Sequence, residues 1–312
     1  MRIDNNKKYG IEHFGRLKSV LLHRPSESIK LINNENKEYF LFKDVPNVDT
    51  YLEEHKLYED MLKGLGVEVF LLDKLVQKNT DLLHKLPNLA YLHDIAVISS
   101  QGSIISKMAS LGRCHEEIVV KEALRRLEIP ILYESMEGEA FEGCLLLSPN
   151  TVFVADTERH NTKAIEAFID FILGYFDEVI YASIPQEPRF MHPDMVLNRV
   201  TDNLLLYFPN AFKKTYYITK DTRKEIDIKE FMNSRKIDMI PVSDDEQKKW
   251  GTSFVPLEPG IVINYDISLH EKTISLLERE GVVFKHFHPK SLLAGGGSLR
   301  CLTLRIWREL SQ

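Results

Sequence analysis

The stretch NTVFVADTERHNTKAIEAFIDFILGYFDEVIYASI, residues 150 to 184, decides the fold class. Its opening run, NTVFVAD (150–156), carries the β-branched and aromatic residues that suit a strand. HNTKAIEAFIDFILGYF (160–176) then sets apolar side chains at helical spacing and meets a glycine near its end. EVIYASI (178–184) reads as a second strand. Strand, helix and strand joined by short turns mark an α/β chain.

The same grammar recurs outward from this stretch. Strand-like runs are LKSVLLHR (17–24), VEVFLLD (67–73), IAVISS (95–100), NLLLYF (203–208), KIDMIPV (236–242), IVINYD (261–266) and VVFKHF (282–287). Helical patterns are VDTYLEEHKLYEDMLKGLG (48–66), HEEIVVKEALRRLEI (115–129) and ISLHEKTISLLEREG (267–281). The rhythm is strand, strand, helix, strand, repeated about five times, which is not a simple doubly wound order. No linker rich in Pro, Gly or Ser divides the chain, so residues 1–312 are expected to form one domain. One stretch, LINNENKEYFLFKDVP (31–46), is polar and then aromatic; a loop of that length in a compact domain is usually functional or mobile.

Composition narrows the function classes. Of 312 residues, 44% are hydrophobic and 28% charged, enough to bury a sizeable core. The formal net charge of −6 supplies no basic field for nucleic acid or an anionic membrane. No apolar run has the length of a membrane span. The N-terminal MRIDNNKKYG has no apolar core, so no secretory signal is expected. Three cysteines, Cys114, Cys144 and Cys301, argue against a disulfide framework and for a reducing cytoplasm. Neither a CxxC pair nor an HExxH run occurs, so no metal or other cofactor is expected.

Four stretches set reactive groups at the ends of elements. LPNLAYLHDIAV holds Asn88, Tyr91, His93 and Asp94 ahead of a strand. EAFEGCLLL holds Glu142 and Gly143. FMHPDMVL holds His192 and Asp194, two apart and therefore on one side of an extended segment. LAGGGSLRCLTLRIW (293–307) holds Cys301 behind three glycines and ahead of a strand-like run. A cysteine, a histidine and carboxylates are the raw material of thiolate catalysis, in which the His moves protons and a carboxylate orients it. Cys114 and Cys144 read as small buried hydrophobes. Cys301 differs because glycines let the backbone approach a ligand closely. The lead-in reads as free of helix and pliable.

These stretches, in this order, resemble the arginine deiminase branch of the guanidine-modifying pentein superfamily, over nearly the whole chain. FGRLKSVLLHRP (14–25) resembles the family's opening strand, and YFLFKDVPNVDTYLEEH (39–55) its loop and first helix. PNLAYLHD is similar to the deiminase PNL-x-F-x-RD, MASLGR ends in an Arg placed as in deiminases, and FEGC followed by ADTERHN is similar to EGGD and its ERT-like segment. MHPD resembles MHLD, and GGGSLRCLT resembles the terminal glycine-rich cysteine motif. The resemblance implies a five-bladed α/β propeller of ββαβ units with the site in its central channel. The additional helical domain of deiminases has no room here, since only a short stretch separates Leu75 from Leu86.

Carried over, the resemblance makes Cys301 the nucleophile on the guanidinium carbon, giving a thiouronium, and His192 the group that protonates the leaving amine and then activates water. It makes Glu142 the partner of His192, with Asp94 and Asp194 accepting from the guanidinium. Asn88, Arg113 and Arg159 would bind the far end of the substrate, an α-carboxylate pointing to arginine, and Tyr91 is a further substrate-binding residue. The chain departs from the family where its Arg is His93 and where EGGD becomes EGCL, with Cys144 and Leu145. A rival register would put Glu137 in the place of Glu142. A guanidine hydrolase is the first reading. An amidinotransferase, a dihydrolase and a non-catalytic binding protein are the alternatives. A small guanidine compound is the expected partner, and a homo-oligomer is possible.

Overall fold

The computed structural model describes residues 8–310. The start of the MRIDNNKKYG stretch, residues 1–7, lies outside the described residues, and so does its part in the reading about a secretory signal.

The opening stretch folds as its pattern dictates. In the strand Thr151–Asp156, Val152 and Val154 enter one apolar cluster while Phe153 and Ala155 enter another, the two-residue alternation of a strand buried on both faces. The helix Thr162–Ile172 buries Ala164, Ile165, Phe168, Ile169 and Ile172, a single stripe, against the valine side. Asn161 caps it by accepting from Ala164 N at 2.8 Å. The next strand, Glu178–Ser183, pairs parallel with the first.

That unit recurs. Five sheets are present among the described residues, and four of them have three strands. In each of the four, the middle strand pairs antiparallel on one side and parallel on the other. The sets are Leu304–Glu309 with Arg16–Leu22 and Glu68–Leu71; Ala96–Ser99 with Gly102–Ile105 and Ile131–Glu134; Leu197–Thr201 with Leu204–Tyr207 and Asp238–Pro241; and Val255–Glu258 with Ile261–Tyr265 and Val283–Phe287. The helices Val48–Gly64, Glu116–Arg126, Ile228–Ser234 and Glu271–Arg279 supply the parallel crossovers. The last strand pairs with the first, joining the two ends of the chain.

The remaining sheet repeats the scheme with Leu145–Leu146, Thr151–Asp156 and Glu178–Ser183, then adds the hairpin Lys214–Ile218 and Arg223–Ile226. The pattern had not marked that hairpin as strand, because its outer member, RKEI, is exposed and polar and carries no alternation. No described helix is long and apolar enough to cross a membrane.

This repetition positions the site. The antiparallel outer strand of each sheet is preceded by a loop or short turn. Asp94 precedes Ala96–Ser99, and Glu142 precedes Leu145–Leu146. His192 and Asp194 precede Leu197–Thr201, Ser253 precedes Val255–Glu258, and Cys301 precedes Leu304–Glu309.

Candidate active site

A recess between these loops is lined by His93, Asp94, Glu142, Gly143, His192 and Asp194, with Val97, Cys144, Leu145 and Pro193 completing its wall. At its centre His192 lies between two carboxylates. Its Nε2 is 2.7 Å from Glu142 Oε2, and its Nδ1 is 3.5 Å from Asp94 Oδ1. Glu142 is held in place by a bond from the backbone N of Ala109 to Oε1 at 2.8 Å. Burial lowers the pKa of His192, but Asp94 and Glu142 outweigh it and the net shift is upward. Burial raises the pKa of Glu142, yet the bond to His192 and the charges of Arg159 and Arg113 bring it down to about 2. A histidine that holds a proton beside an ionised carboxylate is equipped to move protons. Glu137, of the rival register, is exposed.

Cys301 is 7% exposed and lies within electrostatic reach of Asp94 and Asp194. Burial, then those two carboxylates, push its thiol up to about 12. The expected helix-free lead-in is replaced by a 3-10 turn at Ser291–Gly295 and a four-residue helix, Leu299–Leu302, that contains Cys301. Ser298 caps this helix through the amides of Arg300 and Cys301 and lies 3.5 Å from the Cys301 sulfur. Nor is the glycine run open space. A Cβ on Gly295 would stand 1.6 Å from the Tyr91 hydroxyl, and one on Gly297 would stand 2.5 Å from Tyr91 Cε1. The glycines admit the Tyr91 ring next to the cysteine segment.

Asp194 is tied down by groups that sequence patterns had not singled out. Ser253 Oγ donates to Asp194 Oδ2 at 2.5 Å and lies 2.8 Å from Ser298 Oγ, so two hydroxyls connect Asp194 to Cys301. Arg300 Nε is 3.3 Å from the same Asp194 oxygen. The signal for Ser253 was positional: it holds, in its own unit, the place that Asp94, Asp194 and Cys301 hold in theirs.

The residues assigned to the far end of a substrate are distributed as follows. Arg113 donates from Nη1 to Asp94 at 2.7 Å and from Nε to Glu116 at 2.9 Å, all three side chains being buried. Glu116 had not been marked, although it stands three residues beyond Arg113 on the following helix. Arg159 donates from Nε to Glu158 at 3.0 Å, and its Nη1, 3.8 Å from Glu142, is buried without a hydrogen bond. Asn88 donates to the Phe40 carbonyl, and the Tyr91 hydroxyl meets that of Tyr51 at 3.0 Å. Segment 31–46 is anchored to the cysteine segment, since the amides of Lys43 and Asp44 both donate to Ala294 O. Among the described residues, no cluster suited to hold a metal ion is present. Asp94 Oδ1 and Arg159 Nη1, on either side of His192, are buried polar atoms with no hydrogen-bond partner.

Residues 76–308 match the family model described as arginine deiminase. The chain belongs to the arginine deiminase family. This arginine deiminase family protein is an amidinohydrolase, acting on C–N bonds of linear amidines. It is 26% identical to the arginine deiminase of Mycoplasma capricolum subsp. capricolum, covering 95% of this chain and 96% of that protein. It is 24% identical to that of Listeria welshimeri, covering 95% and 97%. The Mycoplasma alignment runs over 387 positions against a chain of 312 residues, so that relative has residues with no counterpart here. Solved structures carry the same fold. AgrE, in complex with ornithine and NAD+, superposes with a TM-score of 0.71 at 18% identity over 94% of this chain, which spans 40% of that longer chain. The N-terminal domain of ArgZ, an arginine dihydrolase of cyanobacteria, gives 0.71 at 17% identity over 92% of this chain and 96% of its own. Dimethylarginine dimethylaminohydrolase gives 0.67 at 14% identity, covering 93% and 99%. The family member is thus a mixed α/β protein built from several small sheets, with neighbours of the pentein fold.

Proposed function

We propose that the protein hydrolyses the guanidinium group of free arginine to a ureido product and ammonia, through a covalent adduct on Cys301. The observation that carries this reading is His192 held between Glu142 and Asp94, with Asp194 and Cys301 at the same loop ends. A planar cation with forked donors suits Asp94 and Asp194, which accept in pairs. Its positive charge offsets the two carboxylates that hold the Cys301 thiol protonated, so the substrate helps to ionise its own nucleophile. The thiolate adds to the guanidinium carbon. His192 gives its proton to the departing nitrogen, which leaves as ammonia, and an S-alkylthiouronium remains on Cys301. Water then attacks the same carbon and gives one proton to His192; the C–S bond breaks as the ureido carbonyl forms, and the remaining hydroxyl proton passes to the departing thiolate, which restores the Cys301 thiol.

At the far end, Arg159 supplies the unpaired donor for an α-carboxylate, with Asn88 and Tyr91 as further contacts, while Arg113 acts through its bond to Asp94. The five sheets are read as the blades of an α/β propeller in a single domain, with the site at the axis where the loops converge. The likeness to relatives named arginine deiminase supports arginine as substrate. The deciding experiment incubates the protein with arginine, agmatine and methylated arginines, and measures ureido product, ornithine and ammonia. Conversion of arginine to a ureido product with one equivalent of ammonia supports the reading. Preference for agmatine, or release of ornithine as the main product, overturns it.

A further inference from the structure

Next to Asp194, three guanidiniums are buried together. Arg300, Arg305 and Arg308 are 2%, 7% and 4% exposed, and Arg305 feels the charges of both others. Arg300 is shared between Asp194, at 3.3 Å, and the Phe254 carbonyl, at 3.3 Å. Arg308 donates to the carbonyls of Gly15, at 2.7 Å, and Pro256, which are neutral. Arg305 makes no described hydrogen bond or ion pair, and its Nε is buried and unpartnered. Among the described residues, the one carboxylate that bonds any of the three is Asp194.

Three cations therefore face one anion, which is itself needed beside Cys301. A buried lysine or histidine could shed its proton to escape this, as burial and the neighbouring Arg300 and Arg305 keep His93 neutral. An arginine cannot, because its guanidinium stays charged under all ordinary conditions. Burying such a charge without a counter-charge is strongly unfavourable. Arg305 keeps a residual exposure of 7%.

We propose that Arg305, with Arg300 beside it, binds one small inorganic anion, a halide or a compact oxyanion, as a resident counter-ion next to Asp194. The Tyr58 hydroxyl, 2.6 Å from Thr303 Oγ1 and electrostatically coupled to Arg305, lies at the edge of this site. Such an anion leaves Asp194 free for its own partners instead of serving three arginines.

The test is thermal unfolding of the full chain at constant ionic strength. Sodium chloride or inorganic phosphate replaces sodium gluconate, whose anion is too large to enter. A saturable rise in Tm of a few degrees is expected with one of the two, and which one responds separates a halide from an oxyanion. Arg305→Met should abolish the saturable part while being at least as stable as wild type in gluconate. A rise that does not saturate, or that is the same in Arg305→Met, overturns the proposal. Anomalous diffraction from crystals of the wild-type protein grown in bromide gives a reading independent of that variant. If chloride is the anion that responds, a peak within hydrogen-bond distance of Arg305 supports the site and its absence overturns it. If only phosphate responds, tetrahedral density at the same position in phosphate-grown crystals takes its place.

Discussion

Arg113 donates through Nη1 to Asp94 over 2.7 Å while Glu116 grips the other edge of the same guanidinium. The arginine that resembles a carboxylate ligand of deiminases is thus bonded on two edges by its own protein. Arg159 differs, with one buried Nη free of any hydrogen bond.

The two arginines should therefore fail in different ways. Arg113→Ala strands Asp94 as a buried charge, whereas Glu116, whose pKa burial holds at about 7 even beside Arg113, takes up a proton; breaking a buried pair costs about 3–5 kcal/mol. Urea unfolding should register a loss of that order. Arg159→Ala should fold nearly normally. It should lower kcat/KM for arginine by roughly ten- to a hundredfold, the value of one charge-assisted pair, and affect agmatine much less. Unchanged arginine kinetics in Arg159→Ala would remove the proposed carboxylate grip.

The thiol of Cys301 should be slow to alkylate in the free protein near neutral pH, because burial and two carboxylates hold its proton to about pH 12. A guanidinium ligand that does not react should speed iodoacetamide labelling of Cys301, by neutralising Asp94 and Asp194. Peptide mass mapping with and without ligand measures this. Fast labelling without ligand contradicts the assignment. Cys301→Ser should abolish turnover, whereas Cys114→Ser and Cys144→Ser should stay active. His192→Ala should trap a slowly formed adduct visible by intact mass.

Glu142 ties stability to acid pH. Its folded pKa of about 2 lies below the ordinary value of 4.5, so the folded state binds this proton less tightly than the unfolded one. The stabilisation is complete above pH 4.5 and is lost as the pH falls towards 2. Glu142→Gln should flatten the acid limb of stability in that window while also suppressing activity. A denaturation series from pH 5 to pH 2 compares the two; parallel limbs would refute the coupling.

Gly297→Ala should cost activity through geometry, since its Cβ would stand 2.5 Å from the Tyr91 ring and force ring or cysteine segment to shift. Adding Tyr91→Ala to Gly297→Ala should recover part of the loss. Gly138→Ala is the control: its Cβ meets nothing within 4 Å, although its φ of +81° carries some strain. Equal activity in Gly297→Ala and wild type would mean that the close approach is unimportant.

What the sequence by itself determined is what depends on short-range periodicity. Val152 to Ala155 alternate between two cores, and Ala164 to Ile172 form one stripe, because strand and helix geometry act within a few residues. The order of Asp94, Glu142, His192, Asp194 and Cys301 was legible because each stands beside a strand whose pattern is local. The tertiary structure alone decided what these groups meet. Glu142 meets His192 across 50 residues and Ser253 meets Ser298 across 45, and nothing local records such a distance. The glycines beside Cys301 looked like freedom in the sequence and are instead the space that the Tyr91 ring fills. Arg113 and Arg305 look alike in a one-dimensional reading. Packing adds Asp94 to the first, which has Glu116 three residues along its own chain, and leaves the second with no bonded carboxylate, because only packing determines which charges are removed from water together.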